Sequence, residues 1–367
     1  MKIHGQRANW IRLLILGAIF LTTMWVFFQH VTVGRSAPSV HGICPFGGLE
    51  SLLAWISTGL TVQRIMSGTM ALFFLTIGIA VLFNRSFCGM ICPLGGLQEW
   101  LGLPLKRKLT VPRVLDRLLR MLKYGILGLT VFMAWRTASI WMSPYCPWAA
   151  LSHIFVPDEL LREMPVGAAL LGLTVVGSVL VDRFFCKYLC PAGAFYAIIG
   201  KISPFRVRRN QETCIDCGQC DKACPMNIEI ASRDGVSSAE CTLCGKCVNA
   251  CPVPKALDVK FASVVVRPLV ALALVLVVFF GGVWVLDAAG LYKVAMIPSA
   301  GQTIGFQDLK AWMSLAEGAE YTGLSLEEFY AALGIPAEVP STVTMNQVKD
   351  YVPGFSFHEA RTQGGKR

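Results

Sequence analysis

Fourteen cysteines are present in this chain, and eight of them form two runs of the same spacing. Each run reads Cys-x-x-Cys-x-x-Cys-x-x-x-Cys-Pro, and the runs contain Cys214, Cys217, Cys220 and Cys224, then Cys241, Cys244, Cys247 and Cys251. Where two such runs bind two [4Fe–4S] clusters, three thiolates of a run bind one cluster and the fourth binds the other. The spacing therefore predicts one cluster on Cys214, Cys217, Cys220 and Cys251, and a second on Cys241, Cys244, Cys247 and Cys224.

Other uses of clustered cysteines fit this pattern less well. Zinc sites use paired Cys-x-x-Cys motifs, which give no role to the third cysteine of each run or to its Cys-Pro end. A disulfide framework requires an oxidising compartment, whereas the charge pattern described below places this segment in the cytoplasm. Because iron–sulfur clusters transfer single electrons, the segment is predicted to be a ferredoxin-type electron carrier.

The composition of the chain is typical of a membrane protein with a polar insert. Of its 367 residues, 54% are hydrophobic and 15% are charged, and the mean hydropathy is +0.56. Soluble domains carry about 25% charged residues. The net charge of +10 does not indicate a nucleic-acid partner, because the basic residues are concentrated beside apolar segments.

Five apolar segments are each close to the roughly 20 residues that cross a bilayer. They are Leu13–Gly34, Ile65–Asn84, about Met121–Ser139, Met164–Val181 and Leu269–Leu286. Lys and Arg are abundant before the first segment, between the second and third, and after the fourth. Cytoplasmic flanks carry this excess, so we expect a multi-pass protein of the bacterial inner membrane, in contact with lipid. Its N-terminus and cysteine runs would lie in the cytoplasm and its C-terminal tail outside.

The first two apolar segments and the next two end in matching motifs. One reads Arg85-Ser-Phe-Cys88-Gly-Met-Ile-Cys92-Pro93-Leu-Gly95, and the other reads Arg183-Phe-Phe-Cys186-Lys-Tyr-Leu-Cys190-Pro191-Ala-Gly193. We interpret them as a parallel internal repeat of two spans, related by an axis along the membrane normal. Cysteines four apart share a helix face, so the axis would bring together Cys88, Cys92, Cys186 and Cys190. These thiols would bind a third iron–sulfur centre or, alternatively, pack two helix ends as small buried side chains.

An outer motif is repeated as well. It reads Cys44-Pro45-Phe46 in the first copy and Cys146-Pro147-Trp148 in the second. If the repeat axis brings Cys44 and Cys146 together, an oxidising compartment favours a disulfide between them. A redox-active pair and a shared metal site are the alternatives. Glu50 follows in a short segment, Gly47–Leu60, which is predicted to be re-entrant or interfacial.

Two further segments are predicted to be helical. Leu105–Lys123 alternates leucines and basic residues at helical spacing, which indicates a surface helix for anionic lipid or, alternatively, for an acidic partner. The tail is predicted to form short helices over Phe306–Glu320, Ser325–Leu333 and Met345–Val352, with a capping box between Ser325 and Glu328. It contains no cysteine, and we expect it to dock a redox protein partner.

The paired membrane motifs and the two cysteine runs together resemble the NapH/NosR type of membrane ferredoxins, also called polyferredoxins or 4Fe–4S quinol-dehydrogenase-like proteins. The resemblance covers about residues 10–260 and rests on Phe87–Gly95, Phe185–Gly193 and the two runs. It implies electron transfer connected with the quinone pool and with a periplasmic or membrane respiratory partner. The chain departs from the four-span pattern by a fifth span and a tail. It also lacks the large periplasmic flavin-binding domain of NosR-like members, which argues against a role with nitrous-oxide reductase.

The sequence therefore predicts an α-helical membrane protein with about five transmembrane helices and an inserted α+β ferredoxin domain. The expected domains are a four-span membrane domain over 1–200, the ferredoxin domain over 201–260, a fifth span over 261–287 and an outer helical domain over 288–367. The expected function is electron relay between the quinol pool and a respiratory or reductase partner, as an electron-transfer component such as a quinol dehydrogenase subunit. The alternative is a maturation, scaffold or redox-sensing protein that supports metalloenzyme assembly. No residue set predicts a catalytic site.

Overall fold

The computed structural model describes residues 2–32, 43–58, 67–104, 108–109, 111–232, 234–236, 238–292, 305–306, 309, 313–345, 347–357 and 359–360. The chain divides into two compact units. One comprises Met1–Phe27 and Val40–Val294, and the other comprises Phe28–Ser39 and Ala295–Arg367.

Helices make up the described part of the chain that precedes the ferredoxin segment. They are α1 Lys2–Thr32, α2 Pro45–Thr58, α3 Ser67–Phe83, α4 Ser86–Met90, α5 Pro93–Leu101, α6 Arg113–Thr137, α7 Pro147–Ser152, α8 Pro157–Glu163, α9 Pro165–Leu180, α10 Phe184–Tyr188 and α11 Pro191–Ile199. Several begin at a proline, because its fixed φ suits the first helical turn and its missing N–H is not needed there. Short helices α4 and α10 carry the first cysteine of each membrane motif.

The predicted ferredoxin segment forms a small α+β fold. Its antiparallel sheet has the order β1-β2-β3, with β1 Phe205–Arg209, β2 Leu257–Phe261 and β3 Val264–Val266. The cysteine-bearing loops include α12 Gln219–Ala223 and α13 Lys246–Ala250, and α14 Pro268–Ala288 follows the sheet. Val207 of β1 pairs with Val259 of β2, and both side chains are buried. Strand β1 precedes the two cysteine runs and β2 follows them, so this pairing joins the two ends of the cysteine-bearing segment.

Three helices are long and apolar enough to cross a membrane. They contain Gln6–His30 in α1, Val114–Thr137 in α6 and Pro268–Ala288 in α14. The other two predicted spans correspond to α3 and α9, which are apolar but have 17 and 16 residues. Since a bilayer requires roughly 20 residues, these two are shorter than a full span. The five predicted spans thus remain an interpretation.

One hydrophobic core joins the ferredoxin fold to the helical part. The end of α3 and the first membrane motif contribute Phe83, Phe87, Met90 and Ile91. The ferredoxin fold contributes Val207, Met226, Ile228, Leu243 and Val259, and α14 contributes Leu272 and Val275. Because these side chains are buried together, the ferredoxin fold is packed against the membrane motifs rather than tethered to them.

The predicted surface helix and the predicted third span form a single element. Helix α6 runs without interruption from Arg113 to Thr137, and no proline lies inside it. Leu115 and Leu118 on this helix are exposed, whereas Lys123 is fully buried. The helix predicted over Leu105–Lys123 therefore begins at Arg113 and is continuous with the third predicted span; residues 105–107 and 110 lie outside the described residues. The boundary predicted near Lys123 is absent because this buried lysine is paired with Glu240.

The smaller unit contains α15 Leu315–Thr322, α16 Leu326–Leu333 and α17 Val348–Tyr351. The predicted capping box of Ser325 and Glu328 is confirmed, and Ser314 with Glu317 forms a second box. Helices α15 and α16 are each followed by a glycine in the left-handed conformation, which terminates the helix. Their buried faces meet in a core of their own.

Candidate iron–sulfur sites

The four cysteines of the first predicted cluster line one cavity of about 370 Å³. Cys214, Cys217 and Cys220 approach it from the loop that leads into α12, and Cys251 approaches it from the end of α13. Cys217 is exposed, and Ile215 in the same lining is 64% exposed. One edge of this cavity, here called the outer cavity, is therefore open to solvent.

The four cysteines of the second predicted cluster line another cavity, of about 350 Å³. Its lining includes Cys224 from the first run together with Cys241, Cys244 and Cys247 from the second. Apolar side chains such as Val207 and Met226 complete the wall. This second cavity, here called the inner cavity, lies on the side of the ferredoxin fold that shares the core with the membrane motifs.

The shape of both cavities bears on the group they would hold. Among the described residues, no three His, Cys, Asp or Glu side chains converge closely enough for a single metal ion. A four-iron cubane separates its four thiolates at its corners, and each cavity places four cysteines around a wider space. The four cysteines that line each cavity therefore fit a [4Fe–4S] cluster.

The arginine of each membrane motif lies against the glycine of the other motif. Arg183 donates from Nη1 to the carbonyl oxygen of Cys88 over 2.7 Å, and this nitrogen lies beside Gly95. In turn, a Cβ at Gly193 would lie 2.8 Å from Nη2 of Arg85. A Cβ at Gly95 would lie 2.8 Å from the Cys88 carbonyl oxygen, so glycine at both positions leaves room for the close packing of the two motifs.

The crossing brings together the four cysteines of the two membrane motifs. Burial raises the pKa of the Cys92 thiol, and the adjacent Cys186 and Cys88 raise it further. The pKa of Cys190 is raised by burial and then by the same two neighbours. Gln98 donates a hydrogen bond to the Cys186 sulfur over 3.0 Å. Cys88, Cys92, Cys186 and Cys190 therefore form one group of mutually interacting thiols, as the repeat predicts.

Unused donors of Arg85 point to an anion beside these thiols. Within the described part of the chain, Nε and Nη2 of Arg85 are buried without a hydrogen-bond partner. Cys88 and Cys190 are close enough to act electrostatically on this guanidinium. Buried donors in folded proteins are almost always satisfied. The sulfides of an anionic iron–sulfur centre would accept these hydrogen bonds, so the four thiols and Arg85 fit such a centre.

A buried carboxylate of the ferredoxin fold anchors it to the membrane motifs. Glu240 accepts a hydrogen bond from Arg85 Nη1 over 2.7 Å, one from Tyr124 over 2.8 Å, and one from Lys123. Burial alone would raise the pKa of Glu240, but Arg85 and Lys123 outweigh it and hold the pKa at about 2. The carboxylate is therefore charged at neutral pH and neutralises two buried cations.

A second buried carboxylate, Glu99 in α5, connects three other elements. Arg12 of α1 contacts it over 2.5 Å, Arg183 donates from Nε over 2.7 Å, and Lys246 of α13 lies 3.1 Å away. Burial would raise the pKa of Glu99, but these cations hold it well below its usual range. In the sequence, Arg183 belongs to the basic stretch that follows the fourth apolar segment. An arginine stands at the same position in both membrane motifs, as Arg85 and as Arg183. This repetition was the signal in the sequence for a buried role.

The inner cavity directly contacts the first membrane motif. A Cβ at Gly89 would lie well within contact distance of the Thr242 carbonyl oxygen, in the loop that carries Cys241 and Cys244. Arg12 also donates to the Gly89 carbonyl oxygen over 2.7 Å. Glycine at this position therefore allows the ferredoxin fold to approach the membrane cysteines closely.

A Gly89→Ala variant tests the importance of this contact. We expect its free energy of unfolding to fall by about 1–3 kcal/mol, because the new methyl group must displace the Thr242 backbone. Denaturant titration in detergent would measure the change. Gly78→Ala in α3 is the matched control, since a Cβ there meets nothing within 4 Å. Equal stability of Gly89→Ala and the control would contradict the close approach.

The chain matches two families of iron–sulfur proteins. A family described as 4Fe-4S binding domain matches residues 68–112 and 163–210, which contain the two membrane motifs. A family described as 4Fe-4S dicluster domain matches residues 206–252, which contain the two cysteine runs of the ferredoxin fold. Iron–sulfur binding is thus indicated for the membrane motifs as well as for the ferredoxin fold.

Several characterised or named proteins are similar to the chain. YccM of Escherichia coli, whose name refers to electron transport, is 32% identical over 65% of this chain and 70% of its own length. The methylamine utilization ferredoxin-type protein MauN of Methylorubrum extorquens is 31% identical over 49% of this chain and 59% of its length. The ferredoxin-type protein NapH of Haemophilus influenzae is 31% identical over 40% of this chain and 49% of its length. No solved structure matches the chain.

Proposed function

We propose that this chain, which belongs to the NapH-type family of membrane-bound 4Fe–4S ferredoxin proteins, relays electrons between the quinol pool and a respiratory or reductase partner. The family consists of iron–sulfur electron-transfer proteins. Clusters held by the cysteines of this chain would supply single-electron transfer.

The observation that carries the proposal is the close succession of three cysteine groups. The outer cavity has an exposed edge at Cys217. Helix α12 carries Cys220 of the outer cavity and is followed directly by Cys224 of the inner cavity. The inner cavity in turn touches Gly89 through Thr242. Gly89 directly follows Cys88 of the membrane group. The residues thus form a continuous route from solvent to the membrane motifs.

The ligand sets follow from this succession. Cys214, Cys217, Cys220 and Cys251 would hold one [4Fe–4S] cluster, and Cys224, Cys241, Cys244 and Cys247 a second. Cys88, Cys92, Cys186 and Cys190 would hold a third iron–sulfur centre, with Arg85 donating to it. Arg183 keeps the two membrane motifs in register through Cys88 and Glu99.

The topology proposed for this function has five spans, with α3 and α9 as short crossings and the two membrane motifs as ends of a parallel repeat. Asn249 of the ferredoxin fold donates to Asn9 near the start of α1 over 2.9 Å, which supports a common side for both. The basic flanks favour the cytoplasm for that side. We place the protein in the bacterial inner membrane, in contact with lipid.

Reoxidation by quinones tests the relay. Dithionite-reduced protein in proteoliposomes should be reoxidised by a ubiquinone or a menaquinone analogue, followed anaerobically by visible absorbance. In a Cys88→Ser/Cys186→Ser variant, reoxidation should be at least about tenfold slower, equivalent to about 1.4 kcal/mol of added barrier. Reoxidation at the wild-type rate in this variant would mean that the quinone accepts its electrons at a site other than the four membrane thiols. Clusters that neither quinone reoxidises would favour the maturation or redox-sensing alternative.

A further inference from the structure

A pair of cysteines outside the four-thiol group of the membrane motifs is not used by the proposed relay. Cys44 directly precedes α2, and Cys146 directly precedes α7. Both are half-buried, and both are free thiols in the structure rather than the predicted disulfide. The backbone amides of the two following helices approach the sulfurs, those of Phe46 and Gly47 for Cys44 and those of Trp148 and Ala149 for Cys146.

The two thiols lie in one electrostatic environment. Burial raises the pKa of Cys44 to about 12, and the neighbouring Cys146 is the next largest cause. Glu50 acts on both thiols. The Glu50 side chain is 1% exposed and accepts the backbone N–H of Met142 over 2.9 Å. Burial raises its pKa to about 7, so this carboxyl group can hold a proton near neutral pH.

Aromatic rings connect this pair to the membrane motifs. Cys44 packs against the core that contains Phe73, and the ring of Phe73 stacks on Phe195 with centroids 5.6 Å apart. Phe195 contacts Tyr196 with centroids 5.6 Å apart, and Tyr196 contacts Phe87 at 5.9 Å. Phe87 directly precedes Cys88. A chain of ring contacts therefore runs from Phe73, in the core against which Cys44 packs, to Phe87 beside the membrane thiols.

We propose that Cys44 and Cys146 are a redox-active dithiol–disulfide pair at the outer end of the electron route. The proposal rests on the proposed function, because the electrons must come from that relay. A structural disulfide would need no buried carboxyl group beside it and no contact chain to other thiols. The pair, the proton-holding Glu50 and the aromatic chain together suit electron delivery across the membrane to a protein disulfide on the outer side.

The reaction balances as follows. Two electrons, delivered singly by the relay, and two protons break the Cys44–Cys146 sulfur–sulfur bond and give two thiols. Glu50 passes these protons from outer water to the sulfurs. One thiolate then attacks the disulfide of the partner protein, and the second cysteine resolves the mixed disulfide. The partner disulfide is reduced to two thiols, and the Cys44–Cys146 disulfide forms again.

Differential alkylation with peptide mapping would follow the redox state of this pair. Purified protein would first be oxidised anaerobically with glutathione disulfide, then reduced with methyl viologen radical, while absorbance reports the clusters separately. We expect Cys44 and Cys146 to become linked and then to be reduced after the clusters. The same reduction should be at least about tenfold slower in a Cys88→Ser/Cys186→Ser variant. In a Glu50→Gln variant the disulfide should still form, but its reduction should be slower than in the wild-type protein.

Three outcomes would overturn the proposal. The thiols would remain unlinked after oxidation, or the disulfide would resist reduction while the clusters are reduced, or wild type and the Cys88→Ser/Cys186→Ser variant would reduce it equally fast. Each of these results leaves the relay itself intact, because the clusters still change their absorbance. A wild-type chain without reducible clusters would instead overturn both the relay and the thiol pair.

Discussion

A Cys88→Ser/Cys186→Ser variant should contain about eight irons per chain, against about ten to twelve in the wild-type protein. The loss is expected because each substitution removes one thiolate from the group at the membrane motifs, whereas the ferredoxin cavities keep all eight of their cysteines. Iron and acid-labile sulfide would be measured on protein purified anaerobically in detergent.

The matched control for this prediction is Cys44→Ser/Cys146→Ser. It makes the same chemical change in the same two repeats, and neither residue contributes to the group around Arg85. Its iron content should equal that of the wild type. Eight irons in the wild-type protein would show that the four membrane thiols hold no cluster, and that Arg85 satisfies its donors in another way.

Replacement of Glu240 by alanine should lower the free energy of unfolding by about 3–5 kcal/mol, because it leaves buried cations without their carboxylate. Arg85 and Lys123 are both fully buried, and both contact this one side chain. The ferredoxin fold should also separate from the membrane motifs, so the clusters would lose iron faster. Denaturant titration and the rate of iron release to a chelator would measure the two effects.

Two further variants separate charge from packing at this position. Glu240→Gln keeps the size of the side chain but removes its charge, so it should lose nearly as much stability as Glu240→Ala if charge pairing dominates. Glu212→Ala changes an exposed glutamate of the same fold and should have little effect. A fully stable Glu240→Gln protein would show that the two cations do not need the carboxylate.

Local spacing was sufficient to predict the groups of cysteines. The two runs led to two sets of four, and each set lines one cavity. The matching membrane motifs led to a meeting of four thiols, which the crossed arginines produce. Such groupings can be predicted because ligand spacing within a loop and repetition between helices are both visible along the chain. Whether these groups bind clusters stays a prediction.

The ionic contacts could not be predicted in the same way. Glu240 and Arg85 are 155 residues apart, and neither lies in a periodic pattern that indicates the other. The positive-inside pattern classed Arg183 and Lys123 with the exposed flanking charges, although both are buried. Burial of a charge depends on which partner the tertiary fold supplies. A lysine that faces solvent would mark the end of a membrane span. Lys123 is instead buried against Glu240, so α6 continues through it.

The separation between Arg85 and Glu240 also affects how the protein is made. Arg183 can pair with Glu99 as soon as it is synthesised, because Glu99 precedes it. Arg85 must wait for 155 further residues, which takes about 8 to 30 seconds on a ribosome. Metal-binding segments commonly fold with their metal, so with clusters in the ferredoxin fold we expect Glu240 to reach Arg85 only after cluster insertion. A chain made without iron would then keep Arg85 and Lys123 without their carboxylate for longer, and we expect it to be degraded faster than a chain made with iron.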